Sequence, residues 1–138
     1  MLGQKIGEEK GRVTSRRVLP GEDPRYLKME ISFEAEGTVL GLQGGNIGTY
    51  TIFNRVGSQI YGEGQGIFMA KDGTSAIWNG HGVGLPTGDG MGVKFAFSVA
   101  YQADPNGPLA ALNNVLVIGE HTAAGDGSAT STLYEWKA

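Results

Sequence analysis

Apolar and polar residues alternate with a period of two along much of this chain. The clearest stretch sets Leu27, Met29, Ile31, Phe33 and Ala35 against Lys28, Glu30, Ser32, Glu34 and Glu36. A second sets Val93, Phe95, Phe97, Val99 and Tyr101 against Lys94, Ala96, Ser98 and Ala100. Such alternation places successive side chains on opposite faces of a β-strand. No segment carries a helical period, although Leu109 to Leu112 could form a single helical turn. Turn signals punctuate the text: Asp72-Gly73, Asp89-Gly90, Asp126-Gly127, Gly57-Ser58, Pro20-Gly21 and Pro105-Asn106-Gly107-Pro108. Between them the pattern predicts eight strands, over roughly 9–19, 26–39, 47–56, 59–71, 74–84, 91–103, 114–123 and 128–137.

Two of these strands are unusual. Gly62-Glu63-Gly64-Gln65-Gly66 and Gly80-His81-Gly82-Val83-Gly84 place glycine at every second position. Each strand therefore has one face stripped of side chains. Glycine weakens an ordinary strand, so such runs mark sharp bending, a barrel corner or close approach of another group. The expected fold is all-β: a single closed antiparallel barrel of about eight strands, spanning 1–138 as one domain.

Turn positions give an expected register. With Asp72-Gly73 as a two-residue turn, Lys71 pairs with Thr74, Gly64 faces His81, Gly66 faces Asn79, and Gly62 faces Val83. Each large residue then sits opposite a glycine. With Gly57-Ser58 as the preceding turn, Tyr50, Ile52 and Asn54 share a face with Tyr61, Glu63, Gln65 and Trp78. Phe53, Phe68, Ile77, Asn79, His81 and Val83 share the other. Neither face is plainly polar. Sheets covered on both sides occur in sandwiches, in barrels packed within an oligomer and in barrels around a cavity.

Composition narrows the function classes. The chain has 138 residues, 24 glycines, no cysteine and a net charge of −3. The glycines show no collagen-like period, and apolar residues recur throughout, against disorder. The only adjacent basic pair is Arg16-Arg17, so no phosphate-tracking stripe exists and nucleic acid is not an expected partner. No apolar run is long enough for a membrane helix, and the first residues are polar, without a signal peptide. The absence of cysteine excludes thiol chemistry and is compatible with the cytoplasm, the expected location.

Motifs for nucleotide, acyl-transfer or calcium chemistry are absent. His81 and His121 lie in different strands, and no metal or cofactor is expected. Glu120 and His121 are neighbours and so point to opposite faces, and the expected register separates Glu63 from His81 in the same way. Two carboxylates working together would need to share a face, as Glu63 could with Glu120 or Glu34.

Three runs carry a resemblance: Tyr61-Gly-Glu-Gly-Gln-Gly, Trp78-Asn-Gly-His-Gly-Val-Gly and Asn113-Asn-Val-Leu-Val-Ile-Gly-Glu-His. They resemble small uncharacterised bacterial proteins with a barrel like that of allene oxide cyclase and the dirigent proteins. The resemblance covers most of the chain from about Val39 onward. It implies an eight-stranded antiparallel barrel and a homo-oligomer. It does not imply cyclase activity, because that enzyme's catalytic residues find no one-to-one match. Lipocalins and avidins fit less well, since an early Gly-x-Trp is missing and the only tryptophans are Trp78 and Trp136.

The reading that follows is a cytoplasmic barrel binding a small, partly apolar ligand, with Tyr50, Tyr61, Glu63, Gln65 and Trp78 as its lining. A rival is a cofactor-independent isomerase or cyclase with Glu63 or Glu120 as proton carrier. A third is a filled barrel that serves only as an oligomeric subunit. A cavity, and a carboxylate with a raised pKa inside it, would separate them.

Overall fold

A computed structural model describes residues 2–54 and 59–137. Eight strands run in chain order: β1 Leu2–Leu19, β2 Lys28–Val39, β3 Leu42–Asn54, β4 Ile60–Ala70, β5 Ser75–Pro86, β6 Val93–Ala103, β7 Leu116–Ala123 and β8 Ser128–Trp136. Each pairs antiparallel with the next, and β1 closes onto β8, giving one closed barrel. Closure removes every sheet edge. Leu27 ends outside β2 and is exposed. A single 3₁₀ turn, Ala110–Asn114, lies between β6 and β7. It packs Leu109 and Leu112 into the core alongside Val39 and Phe68.

The strand pattern corrects the expected register by one residue. β4 and β5 pair Gly62 with Gly82, Gly64 with Gly80 and Glu63 with His81. Glycine faces glycine here, instead of facing a large residue. The cause lies in the turn. Gly73 N donates to Ala70 O (3.0 Å), Gly73 has φ +90°, and Asp72 Oδ1 accepts from both Thr74 N and Thr74 Oγ1. Lys71, Asp72 and Gly73 thus form a three-residue loop with glycine in the left-handed position, not a two-residue turn. A slip of one residue moves every side chain to the other face. Asp126-Gly127 builds the same loop, with Gly127 N donating to Ala124 O.

The β3–β4 pairing is corrected likewise. Tyr50 pairs with Gly64, Ile52 with Gly62 and Phe53 with Tyr61. The Gly57-Ser58 turn itself lies outside the described residues. β3 also begins five residues earlier than expected. The chain reverses at Leu40-Gly41, both with positive φ (51° and 79°). Leu40 is held there by donation from its N to Ile6 O (2.8 Å) and by packing against the core.

These registers decide which residues face inward. Tyr50, Ile52, Phe68, Trp78, Val99 and Tyr101 point into the barrel with Met29, Ile31, Phe33, Phe95 and Val117, and all are buried. The two glycine runs also face inward. A Cβ at Gly48 would come within 2.6 Å of Trp78 Cζ2, and one at Gly66 within 2.5 Å of Trp78 Cε2. The indole of Trp78 therefore lies over a Gly48–Gly66 cross-strand pair, a fit that any side chain there would destroy.

Candidate functional site

The inward glycines let neighbouring strands and rings close in tightly, and they line one side of a cavity of about 80 Å³ in the lumen. Gly62, Gly64, Gly80 and Gly82 form one side, while Phe33, Tyr50, Trp78, Phe95 and Tyr101 are among the rings around it. Its polar groups are few: Glu9, Asn46, His121, Ser131 and the tyrosine hydroxyls. Among the described residues no lysine or arginine lines it.

Glu9 is the most informative of them. It is 3% exposed. Its neighbours on the inner face of β1 are Gly7 and Gly11, and across the ladders it pairs with Gly37 and Ser131. Trp78 Nε1 donates to Asn46 Oδ1 (2.8 Å), and Asn46 Nδ2 donates to Glu9 Oε1 (3.0 Å). Glu9 Oε2 is buried with no hydrogen-bond partner among the described residues. Burial raises the Glu9 pKa, and the Asn46 hydrogen bond offsets only part of that.

A second polar group sits beside it. Glu9 pairs with Ser131 and Ser131 with His121, so three adjacent strands present one inner polar row. His121 Nδ1 and Ser131 Oγ share a hydrogen bond of 2.8 Å, and His121 Nε2 and Tyr50 OH a longer one of 3.4 Å. Phe33 and Tyr50 pack on the imidazole with ring centroids 5.1 and 5.6 Å away. Burial lowers the His121 pKa to about 4, so the ring is neutral at pH 7. Burial also pushes the Tyr50 and Tyr101 hydroxyls up, with the nearby Glu9 as a further cause for Tyr101.

The residues expected to line the lumen divide between the two faces. Tyr50 and Trp78 are inside. Tyr61, Glu63 and Gln65 are outside, because the one-residue slip turned their strand positions over. Glu63 and His81, expected on opposite faces, are direct cross-strand partners. Tyr61 OH donates to Glu63 Oε2 (3.2 Å) and lies 3.3 Å from His81 Nδ1. Gln65 Nε2 donates to Thr49 O. Glu63 and His81 touch the cavity wall, yet their side chains belong to this exposed outer cluster. Glu120 is also exposed, opposite in direction to buried His121, as adjacent strand residues must be. Glu9, Asn46 and Ser131 were not legible as site residues. The signal for Glu9 was Gly7-x-Glu9-x-Gly11, a carboxylate with glycines on its own face. Among the described residues no three metal-ligating side chains cluster, and no helix is long and apolar enough to cross a membrane.

The class these features define is an eight-stranded antiparallel β-barrel with a small, partly polar lumen. No family model matches the chain and no curated protein matches it. Solved structures do. One is a conserved protein of unknown function from Rhodopseudomonas palustris (TM-score 0.76, 14% identity, 98% of this chain and 97% of that one). Another is a protein of unknown function from Clostridium acetobutylicum ATCC 824 (TM-score 0.80, 8% identity, 97% and 98%). A third is a β-barrel-like protein from Acinetobacter baumannii AYE (TM-score 0.78, 11% identity, 98% and 94%). At these identities the likeness establishes the fold alone.

Proposed function

We propose that this protein binds a small, partly apolar molecule in the lumen of its barrel. The observation that carries this reading is the cavity, where a glycine wall faces aromatic rings and one buried carboxyl oxygen has no partner among the described residues. Small-molecule sites combine a largely apolar lining with a few placed polar groups in this way. A barrel of eight strands is wide enough for one such ligand. The glycine-rich runs support the further proposal that the barrel is of the allene-oxide-cyclase-like kind found in small bacterial proteins, and the lack of cysteine is compatible with a cytoplasmic location.

Self-association belongs to the same reading. On the outer face Ile47 pairs with Ile67 and Ile67 with Ile77, while Met69 lies two residues along β4. Ile47 and Ile77 are more than half exposed. Cover by a symmetric second copy would remove this row from water.

One observation favours a second reading, isomerisation or cyclisation without a cofactor. Glu9 is a carboxyl in an apolar cavity whose pKa burial raises, the direction a proton carrier needs. In that reading Glu9 takes the place first given to Glu63 or Glu120, whose carboxylates are outside.

Native mass spectrometry of the purified protein, with extraction of any bound molecule, tests both binding and assembly. The expected result is an oligomer carrying a small molecule or taking up added cyclopentane. Protein that carries nothing and shows no NMR response to cyclopentane overturns lumen binding. A monomer at micromolar concentration overturns the self-association.

A further inference from the structure

We propose that Glu9 is the recognition acid of the lumen: its Oε2 donates a hydrogen bond to a carbonyl or ether oxygen of a small uncharged ligand. The inference rests on lumen binding and adds the chemical class of the ligand.

The argument starts from Trp78. An indole N–H can only donate. Because it donates to Asn46, the amide must present Oδ1 to the indole and Nδ2 to Glu9. An amide N–H also can only donate, so Glu9 Oε1 must accept. A proton carried by this carboxyl therefore resides on Oε2. That is the oxygen without a partner among the described residues, on a side chain that lines the cavity. The relay from Trp78 through Asn46 sets one orientation of the acid and leaves that acid one donor, at Oε2.

The surroundings select against charged ligands. An anion would find no lysine or arginine among the described lining residues and would meet Glu9. A cation would have to be desolvated together with the carboxylate, at a cost that attraction often fails to recover. The titratable groups around the cavity are few. His121 on β7 is neutral well above pH 4, and the Tyr50 hydroxyl on β3 and the Tyr101 hydroxyl on β6 are held protonated by burial. Arg16 on β1 is exposed but pairs with inward Ile31, and it exerts a lesser pull on Tyr50. Glu63 and His81 touch the wall from β4 and β5, with their side chains on the outer face. With Glu9 protonated, none of the inward-pointing side chains among the described lining residues carries a charge. Its volume of about 80 Å³ compares with about 30 Å³ per water in the liquid, so the ligand part that enters has only a handful of non-hydrogen atoms.

Three probes of one shape test this: cyclopentanone, cyclopentane and protonated cyclopentylamine. Binding is read from the Trp78 indole N–H resonance, with Trp136→Phe to assign it. At pH 5 cyclopentanone should bind about tenfold more tightly than cyclopentane, the scale of one buried hydrogen bond. In the wild-type protein this advantage should fall away as rising pH ionises Glu9. Glu9→Gln keeps an acceptor toward Asn46 and places an N–H₂ donor at the Oε2 position. It should keep the ketone's advantage and make it independent of pH. Glu9→Met should lose the advantage while cyclopentane still binds. An advantage that ignores pH in wild type, or vanishes in Glu9→Gln, overturns the acid. Cyclopentylamine binding best, and lost in Glu9→Gln, overturns it in favour of a carboxylate for cations. Cyclopentane entering with no gain for the ketone overturns the acid and leaves lumen binding standing. No response to any probe overturns both. The wild-type comparison needs no variant, so a misfolded mutant does not blunt the test.

Discussion

Glu9 and Glu63 are both carboxylates set among glycines, yet one is buried in the lumen and the other is exposed on the outer wall. Glu63 has glycine at its immediate neighbours, Gly62 and Gly64. On a strand these lie on the opposite face, so the glycines open the lumen and Glu63 looks outward. Glu9 has glycine two positions away on each side, at Gly7 and Gly11. These share its face and let the β2 backbone close in beside it. Spacing of one or two residues thus decides whether glycine exposes a carboxylate or encloses it. The consequence is chemical: Glu9 loses water and its proton is held more tightly, whereas Glu63 takes part in a solvated Tyr61–His81 cluster.

The largest way to stress the enclosed side is acid. His121, in the same inner row as Glu9, has its pKa depressed from 6.5 to about 4. Its neutral form stabilises the fold fully above pH 6.5, and this contribution is lost as pH falls toward 4. The shift corresponds to about 3 kcal/mol. Chemical denaturation at pH 7 and pH 4 should show a loss of that order, reduced in His121→Gln. Equal acid sensitivity of wild type and variant would show that the ring is not the source.

Next is the glycine wall itself. A Cβ at Gly64 would stand 2.6 Å from both Thr49 O and Tyr50 Cβ. Gly64→Val should cost about 1–3 kcal/mol or more, as overpacking does. A melting temperature within a degree of wild type would mean that the lumen side has room to spare.

Glu9 should respond to pH with the opposite sign to His121. Its folded pKa is raised, so its contribution is present at acid pH and declines as pH rises through the folded value. Glu9→Gln should remove the decline in stability that sets in as pH rises above 4.5. A variant profile parallel to wild type would show that Glu9 ionises as freely folded as unfolded. The smallest effect belongs to the other carboxylate. Glu63→Gln should change stability by no more than about 0.5 kcal/mol, as exposed substitutions do. A loss of several times that would reveal a partner that holds Glu63, and would break the contrast with Glu9.

Much of the fold was legible from local pattern. Period-two alternation at Met29–Ala35 and Val93–Tyr101 marks strands whichever way they face, and the Asp-Gly dipeptides mark where the chain turns. The number of strands and the closed, glycine-bent sheet follow from these signals. β1 was only partly visible, because its first half is polar outside and carries glycine and glutamate inside, which leaves no apolar alternation to read.

The facing of the central strands was beyond local pattern. Asp72-Gly73 can close a loop of two residues or of three, and both satisfy glycine's left-handed conformation. Only pairing with the flanking strands chooses, and that choice turns Tyr61, Glu63 and Gln65 outward while bringing Tyr50 and Trp78 to glycine on the inside. The site depends even more on closure. Glu9 on β1, Asn46 on β3, Trp78 on β5 and His121 on β7 lie far apart in the chain and meet only because β1 pairs with β8. The sequence by itself determined that strands form and that two of them are bare on one face. The closed barrel alone decided which face became the lumen and which carboxyl was shut inside it, because burial is a property of the assembled sheet and of no single strand.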